Sequence, residues 1–260
     1  MSILGSKVSR RRFILLVATT SLAYLLPGFR TGYSGVELSR LSIGLGARLL
    51  FLPDIHIHRA GSREYVVELV EEVEPDIVVI GGDLWDSATA SIDVPLELLK
   101  NIKRKVKHLV MILGNHEHWS HQDRVIDLGD ALVEIENQGV VVVRDDKVQL
   151  GTLLVAGLDW RENPQHYSSS LRLIGEVDLV VSHSPDAFPH LTSRQRILLA
   201  GHTHGGQICL PGKTSIVTNS YYGYKWGLYR ENSRVMYVAR GLGEKTPPRI
   251  YCSREALLVE

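Results

Sequence analysis

The sequence predicts an α/β fold on three observations. From Arg48 onward, short aliphatic and β-branched runs alternate with segments of helical period. Chain length and composition, 260 residues at 44% hydrophobic and only 7% aromatic, allow a full core and exclude a disordered chain. Asp54, Asp83 and Asn115 each follow an apolar run by two or three residues, and in open α/β sheets ligands bind just beyond the carboxyl ends of the strands.

Taken in order, strands are expected at residues 48–52, 77–80, 108–113, 140–143, 153–156, 177–181, 197–200, 236–239 and 256–259. Between the first two, residues 62–74 place Val66, Val67, Leu69, Val70 and Val73 on one helical face and acids on another. Further helices are expected over 95–105 and 124–137. With no internal repeat or low-complexity linker, residues 41–260 read as a single catalytic domain.

Residues 1–40 read as a signal or anchor segment and linker. Lys7, Arg10, Arg11 and Arg12 precede an apolar run of 14 residues, Phe13–Leu26, which ends at Pro27. A spanning helix needs about 20 apolar residues, so the run suits a signal h-region. Ser9-Arg10-Arg11-Arg12-Phe13-Ile14-Leu15 resembles the twin-arginine export signature; an ordinary secretory signal or a basic membrane anchor is the alternative. No A-x-A cleavage site follows and residues 28–35 offer only weak small-residue options, so the segment could be cleaved or kept as an N-terminal tether; the expected location is exported, extracytoplasmic or membrane-anchored, with a cytoplasmic membrane tether as the alternative. The formal charge is zero, yet residues 1–30 carry five basic residues (Lys7, Arg10, Arg11, Arg12, Arg30) and no acid. Setting these aside leaves 24 basic against 29 acidic residues, about −5, which argues against a nucleic-acid partner. Cys209 and Cys252 could pair in an exported protein or remain separate buried thiols.

Five short motifs carry the chemistry. Asp54-Ile55-His56 offers a carboxylate and an imidazole two residues apart, on one side if the segment is extended. Gly81-Gly82-Asp83 follows 29 residues after Asp54, about one βαβ unit, and its carboxylate could bridge two cations. Gly114-Asn115-His116-Glu117 supplies a neutral carbonyl and a titratable imidazole. Val181-Ser182-His183-Ser184-Pro185 ends another strand in a histidine, and Gly201-His202-Thr203-His204-Gly205-Gly206-Gln207 alternates two imidazoles among glycines. Each motif alone is as readily a turn or a solvated loop; all five in this order at strand ends are not expected by chance.

Together, D-x-H, G-D, G-N-H-E, a strand-end His and G-H-x-H resemble the calcineurin-like metallophosphoesterase superfamily over about residues 48–240. The form G-H-T-H-G-G-Q, with Tyr229-Arg230 and Arg240-Gly241-Leu242-Gly243, looks most like its prokaryotic, often twin-arginine-exported phosphodiesterase subgroup. The resemblance implies a four-layer α/β/β/α sandwich. It also implies one metal held by Asp54, His56, Asp83 and His204 and a second by the bridging Asp83 with Asn115, His183 and His202. Mixed N/O ligands without thiolate suit two divalent ions of Mn, Fe or Zn, and metal-bound hydroxide would be the nucleophile, so no Ser or Cys is needed. His116 is the catalytic candidate, protonating the leaving alkoxide or stabilising transition-state charge; nearby dications disfavour its imidazolium. His58, His118 and His121 read as supporting or solvated residues.

Two departures narrow the class. Asp86 stands where purple acid phosphatases have a Tyr, so no ferric tyrosinate is expected; Pro53, Ile57 and Ser87 depart from the serine/threonine phosphatase pattern. Residues 221–227 either line a substrate pocket, lie near a membrane interface or form a packed β-hairpin. The expected activity is therefore a metal-dependent phosphoesterase, in the first place a phosphodiesterase, acting on a small-molecule, lipid or cell-envelope phosphoester. A non-catalytic binding scaffold of the same fold and a nuclease are its rivals.

Overall fold

The computed structural model describes residues 35–260 apart from Lys213 and Pro247. The expected signal segment therefore lies, up to residue 34, outside the described residues. Among the described residues, fourteen strands are arranged in two six-stranded sheets and a two-stranded ribbon. The first sheet comprises β1 (Val36–Leu41), β2 (Leu49–Leu52), β3 (Ile77–Gly81), β4 (His108–Ile112), β5 (Val141–Val142) and β14 (Arg254–Val259), in the order β1-β14-β2-β3-β4-β5. Only the β14–β2 pairing is antiparallel in it. The second comprises β6 (Asp146–Leu150), β7 (Leu153–Leu158), β8 (Leu179–Ser182), β9 (Ile197–Ala200), β12 (Gly227–Glu231) and β13 (Arg234–Val238), in the order β12-β13-β9-β8-β7-β6. The ribbon pairs β10 (Cys209–Leu210) with β11 (Thr214–Ser215).

The expected four layers follow from strand alternation, which sends successive side chains to opposite faces. Leu50, Leu52, Val78, Ile80 and Met111 face helices α1 (Glu64–Val73), α2 (Asp93–Lys103) and α4 (Leu128–Asn137), packing with Val66, Val70, Leu99, Ile102 and Ile135, while the short α3 (Asn115–Gln122) follows β4. Their neighbours Leu49, Phe51, Ile77, Val79 and Val110 face the second sheet, meeting Val155, Leu179, Val181 and Leu199. The far side of that sheet, with Ala156, Val180, Leu198 and Met236, packs on α5 (Tyr167–Ile174) and Phe188. Strands covered on both sides read as unbroken aliphatic runs, which is why they are legible.

The structure corrects several boundaries. β1 pairs residue for residue with β14, from Val36–Arg254 to Leu41–Val259, so the sheet reaches upstream of the boundary expected at residue 41. β6 and β12 are edge strands with charged or polar sequences, DKVQL and GLYRE, and lack the aliphatic signal for the reason edges do. Residues 221–226 form a loop rather than a hairpin; the hairpin is β12–β13. α4 starts at Leu128, not Arg124, because the Asp127 side chain accepts the Asp130 N–H and caps it there. Among the described residues no helix is long and apolar enough to cross a membrane.

Candidate metal centre

The seven candidate ligands come from the ends of β2, β3, β4, β8 and β9, and all but His204 are buried. Parallel pairing places these ends together within each sheet, and the sheet-on-sheet packing brings the two sets face to face. The loops after β2 and β3 are zipped by backbone bonds from Asp54 N to Gly82 O (3.0 Å), His56 N to Asp83 O (2.9 Å) and Ile57 N to Leu84 O (2.9 Å). Asp54 and His56 do not lie in an extended segment as expected. Both have positive φ (53° and 46°), as do Asp83 (53°), His202 (71°) and His204 (50°). Left-handed backbone at non-glycine residues is costly and concentrates at functional sites. Two glycines allow the close approach: a Cβ on Gly82 would lie 2.6 Å from Gly114 N and 2.7 Å from His183 Nδ1, and one on Gly114 would strike the Asp83 carboxylate.

Two donor groups share one carboxylate. Asp54, His56, Asp83 and His204 offer atoms within 4.8 Å of one another, as do Asp83, His183 and His202. His183 Nε2 lies 3.1 Å from Asp83 Oδ2 and 3.8 Å from Asp54 Oδ1; His204 Nε2 lies 3.7 Å from Asp54 Oδ1. Asn115 Oδ1 and His56 Nε2 are buried with no hydrogen-bond partner. Orphaned acceptors are rare in native interiors, and here they converge on the donor sets that the resemblance assigned to two metals.

Outer partners fix the rings. Asp86 Oδ2 accepts from His56 Nδ1 (2.8 Å) and also lies 2.9 Å from His58 Nε2; the Gly81 carbonyl accepts from His183 Nδ1 (2.9 Å). With Nδ1 of both rings so engaged, Nε2 is the nitrogen that would face a cation and give up its proton to it. Burial would raise the Asp86 carboxyl, but the bonds from His56 and His58 outweigh it and hold it well below the usual carboxylate range. Asp86→Asn is expected to weaken metal binding about 10–100-fold by releasing the His56 ring, the range for loss of such a partner; titration followed by calorimetry would measure it.

The field of the site is that of crowded carboxylates. Burial, reinforced by Asp83, raises Asp54 to about 6. For Asp83, His183 with His56 and His116 outweighs burial and lowers the pKa. Burial lowers His202 to about 3, with His183 adding to the effect, and lowers His204 further with Arg249 beside it. Burial would lower His183 and His56, but Asp83 and Asp54 outweigh it and raise His183 to about 10, and Asp86 with Asp83 raises His56. A cation bound there would displace those protons, whereas His202 and His204 already offer the neutral imidazoles a borderline cation takes.

Sequence reasoning gave no role to Glu117, and it holds the centre together. Its carboxylate accepts N–H bonds from Gly114 (2.8 Å), Asp83 (3.0 Å), Leu84 (2.6 Å) and Trp85 (3.3 Å). The available signal was its place three residues after the Gly114 helix cap, where a Glu commonly turns back on the chain. The Arg240–Gly243 motif also gains a position. Leu242 N donates to Pro53 O (3.1 Å) and Gly243 N to Asp54 O, while buried Arg240 is clamped by Glu255 (3.0 Å) and stacks over Trp226. His118 is held by Asp159 (2.8 Å) and His121 accepts from Leu128 N (3.1 Å).

A cavity of about 540 Å³ opens over the centre, lined among others by His116, Trp119, Trp160, Tyr221 and Lys245. Arg161 also lines it, but Asp145 and the Trp160 carbonyl already engage its guanidinium. The neighbouring Asp159 anchors Trp160, which packs against His202 with centroids 4.9 Å apart. Burial opposes ionisation of Asp159, but His118 and Arg144 outweigh it and lower its pKa to about 2. A depressed carboxyl stabilises the fold above its unfolded pKa and loses that contribution as pH falls through the folded one. Asp159→Asn is thus expected to cost about 2 kcal/mol at pH 7, with the difference shrinking as pH drops from 4 toward 2 in urea unfolding.

A family model described as calcineurin-like phosphoesterase matches residues 47–206. Uncharacterized protein YpbG of Bacillus subtilis is 28% identical over 193 residues, which cover 67% of this chain and 70% of the relative. Uncharacterized metallophosphoesterase YkuE of the same organism is 28% identical over 206 residues (75% and 70%). An uncharacterized metallophosphoesterase of Aquifex aeolicus is 24% identical over 228 residues (82% and 84%).

Proposed function

The chain belongs to the calcineurin-like phosphoesterase family, and from that premise we propose that it is a phosphodiesterase with a two-metal centre acting outside the cytoplasm. One observation carries this reading: two donor sets share Asp83, and His56 Nε2 in one of them and Asn115 Oδ1 at the cavity wall are buried without a hydrogen-bond partner. Asp54, His56, Asp83 and His204 would hold one cation, and Asp83, Asn115, His183 and His202 the other. The donors are nitrogen and oxygen only, because both cysteines are bonded to each other, which favours Mn, Fe or Zn over all-oxygen ions. When bound, such cations polarise phosphoryl oxygens and lower the pKa of water toward neutrality.

The chain's own groups do the rest. His116 is half-buried at the cavity, 5.0 Å from His56 between ring centroids, and burial lowers its pKa to about 4. It is therefore neutral at physiological pH and donates a hydrogen bond from its N–H to a phosphoryl or leaving-group oxygen. In the overall step a water oxygen bonds to phosphorus, one ester P–O bond breaks, and the departing alcohol leaves with a proton. Trp119 and Trp160 give the cavity, about 540 Å³ in volume, aromatic walls on which a second ester substituent could pack, which supports a diester. The Cys209–Cys252 disulfide, Cα atoms 5.6 Å apart, supports an oxidising compartment, as does the twin-arginine-like segment.

Hydrolysis of bis-p-nitrophenyl phosphate is expected to stop on chelation and return with Mn, Fe or Zn. Elemental analysis should find two ions per chain. Turnover that survives exhaustive chelation would remove the assignment.

A further inference from the structure

The β10–β11 ribbon rises at the mouth of this cavity and carries its apolar side chains outward. Cys209 pairs with Ser215 and Leu210 with Thr214, and Ile216 N donates to Ile208 O (3.5 Å). Alternation buries Cys209 and Ser215 and turns Ile208, Leu210 and Ile216 to the other face. Leu210 and Ile216 are each 53% exposed, and Val217 and Tyr221 follow at 59% and 75%. Gln207, where the ribbon leaves the site, and Tyr221, where the chain returns, both line the cavity. The ribbon is fixed rather than loose. The Cys209–Cys252 bond and hydrogen bonds from Cys209 N to Ile250 O (2.8 Å) and Ile250 N to Gln207 O (3.0 Å) tie it to the segment entering β14.

Topology adds an independent observation. β14 runs antiparallel to β2, so Arg254 lies at the end of the sheet where β2 delivers Asp54. β1 is parallel to β14 with Val36 opposite Arg254. The chain preceding Val36 therefore enters at the metal-site end, beside Arg254, which lies two residues after the disulfide-bonded Cys252. That preceding chain contains the apolar run Phe13–Leu26, the basic residues Lys7, Arg10, Arg11, Arg12 and Arg30, and no acid as far as residue 30. The stretch from Pro27 to Gly35 spans at most about 30 Å when extended. A tether of that length, inserted or adsorbed at a bilayer, brings the metal-site end to the lipid surface.

We propose that the outward face formed by Ile208, Leu210, Ile216 and Val217, rimmed by Tyr221, docks on an anionic lipid surface, and that the substrate is the phosphoester headgroup of a lipid presented there. Aliphatic side chains at the acyl boundary, a tyrosine at headgroup level and a basic flank are the composition such a surface takes. The inference rests on the phosphodiesterase reading for the identity of the substrate. The ribbon itself is tested separately.

The test compares the full chain with Leu210→Asp/Ile216→Asp, and with the milder Leu210→Ser/Ile216→Ser, neither residue lining the cavity. Partition into phosphatidylglycerol and phosphatidylcholine vesicles, release of headgroup from the phosphatidylglycerol vesicles, and turnover of soluble bis-p-nitrophenyl phosphate are measured on each. Both variants should lose about ten-fold or more in partition into the anionic vesicles and in headgroup release, as expected for withdrawing two aliphatic side chains from an interface. Soluble turnover should stay unchanged, which also shows that the site is folded. Equal partition of wild type and variants overturns the proposal, as does a parallel loss on the soluble substrate. So does a change of oligomeric state without a change in partition, which would assign the ribbon to a second copy of the chain. If the wild type hydrolyses neither substrate, the phosphodiesterase reading falls while partition still decides the surface.

Discussion

Asp83→Ala should abolish measurable phosphodiesterase turnover, a fall of about 10³-fold or more, while the chain stays folded. Asp83 belongs to both donor sets, so its removal would take one carboxylate ligand from each of the two proposed cation sites. Metal-ion stabilisation of a phosphoryl transition state is worth several kcal/mol, and each 1.36 kcal/mol is about ten-fold in rate. The fold should survive because the lost carboxylate is one that raises the pKa of its neighbours Asp54 and Glu117; without it the metal-free centre has less buried negative charge. Elemental analysis and circular dichroism on the same sample separate the effects. Turnover within ten-fold of wild type, or a full complement of two ions, would contradict the bridging role.

Glu117→Ala is expected to act on stability first. The side chain is fully buried and receives four backbone N–H groups from two loops. Its removal leaves those donors without acceptors in a dry interior, where each unsatisfied group costs about 1–3 kcal/mol. A loss of about 4 kcal/mol or more is expected, roughly 8–16 °C in Tm for a domain of this size. Metal affinity should fall with it, because Asp83 and Asn115 lie on the two segments that Glu117 joins. Glu117→Gln, which keeps one carbonyl acceptor, should lose less than Glu117→Ala in both thermal unfolding and metal titration. Unfolding unchanged from wild type in the alanine variant would show that the clamp contributes nothing.

The interior strands could be read because they are covered on both faces, and every residue of β2 and β3 is buried. β1, β6 and β12 could not, since an edge strand keeps charged residues; β1 also pairs with a distant segment, β14, over two hundred residues away. The motif residues were legible for a related reason. A parallel strand delivers the residue just past its end to one edge of the sheet, so the repeated placement of Asp54, Asp83 and Asn115 after aliphatic runs, taken with the other motifs, could be read from the sequence. Asp86 and Glu117 did not, because a carboxylate that orients a ring or gathers N–H groups looks, in sequence, like any other acid.

By itself the sequence determined the order of the aliphatic runs, the alternation that splits them between two apolar layers, and the chemical types at the strand ends. These depend on local periodicity and side-chain chemistry, which one chain carries in full. Only the tertiary structure decided that Asp54 and His56 reach the centre through left-handed backbone and that Glu117 ties two loops together. It alone placed the Cys209–Cys252 ribbon beside the cavity, at the end of the sheet where the chain enters β1. These features join residues distant in sequence, and their geometry is set by packing energy that no local pattern encodes.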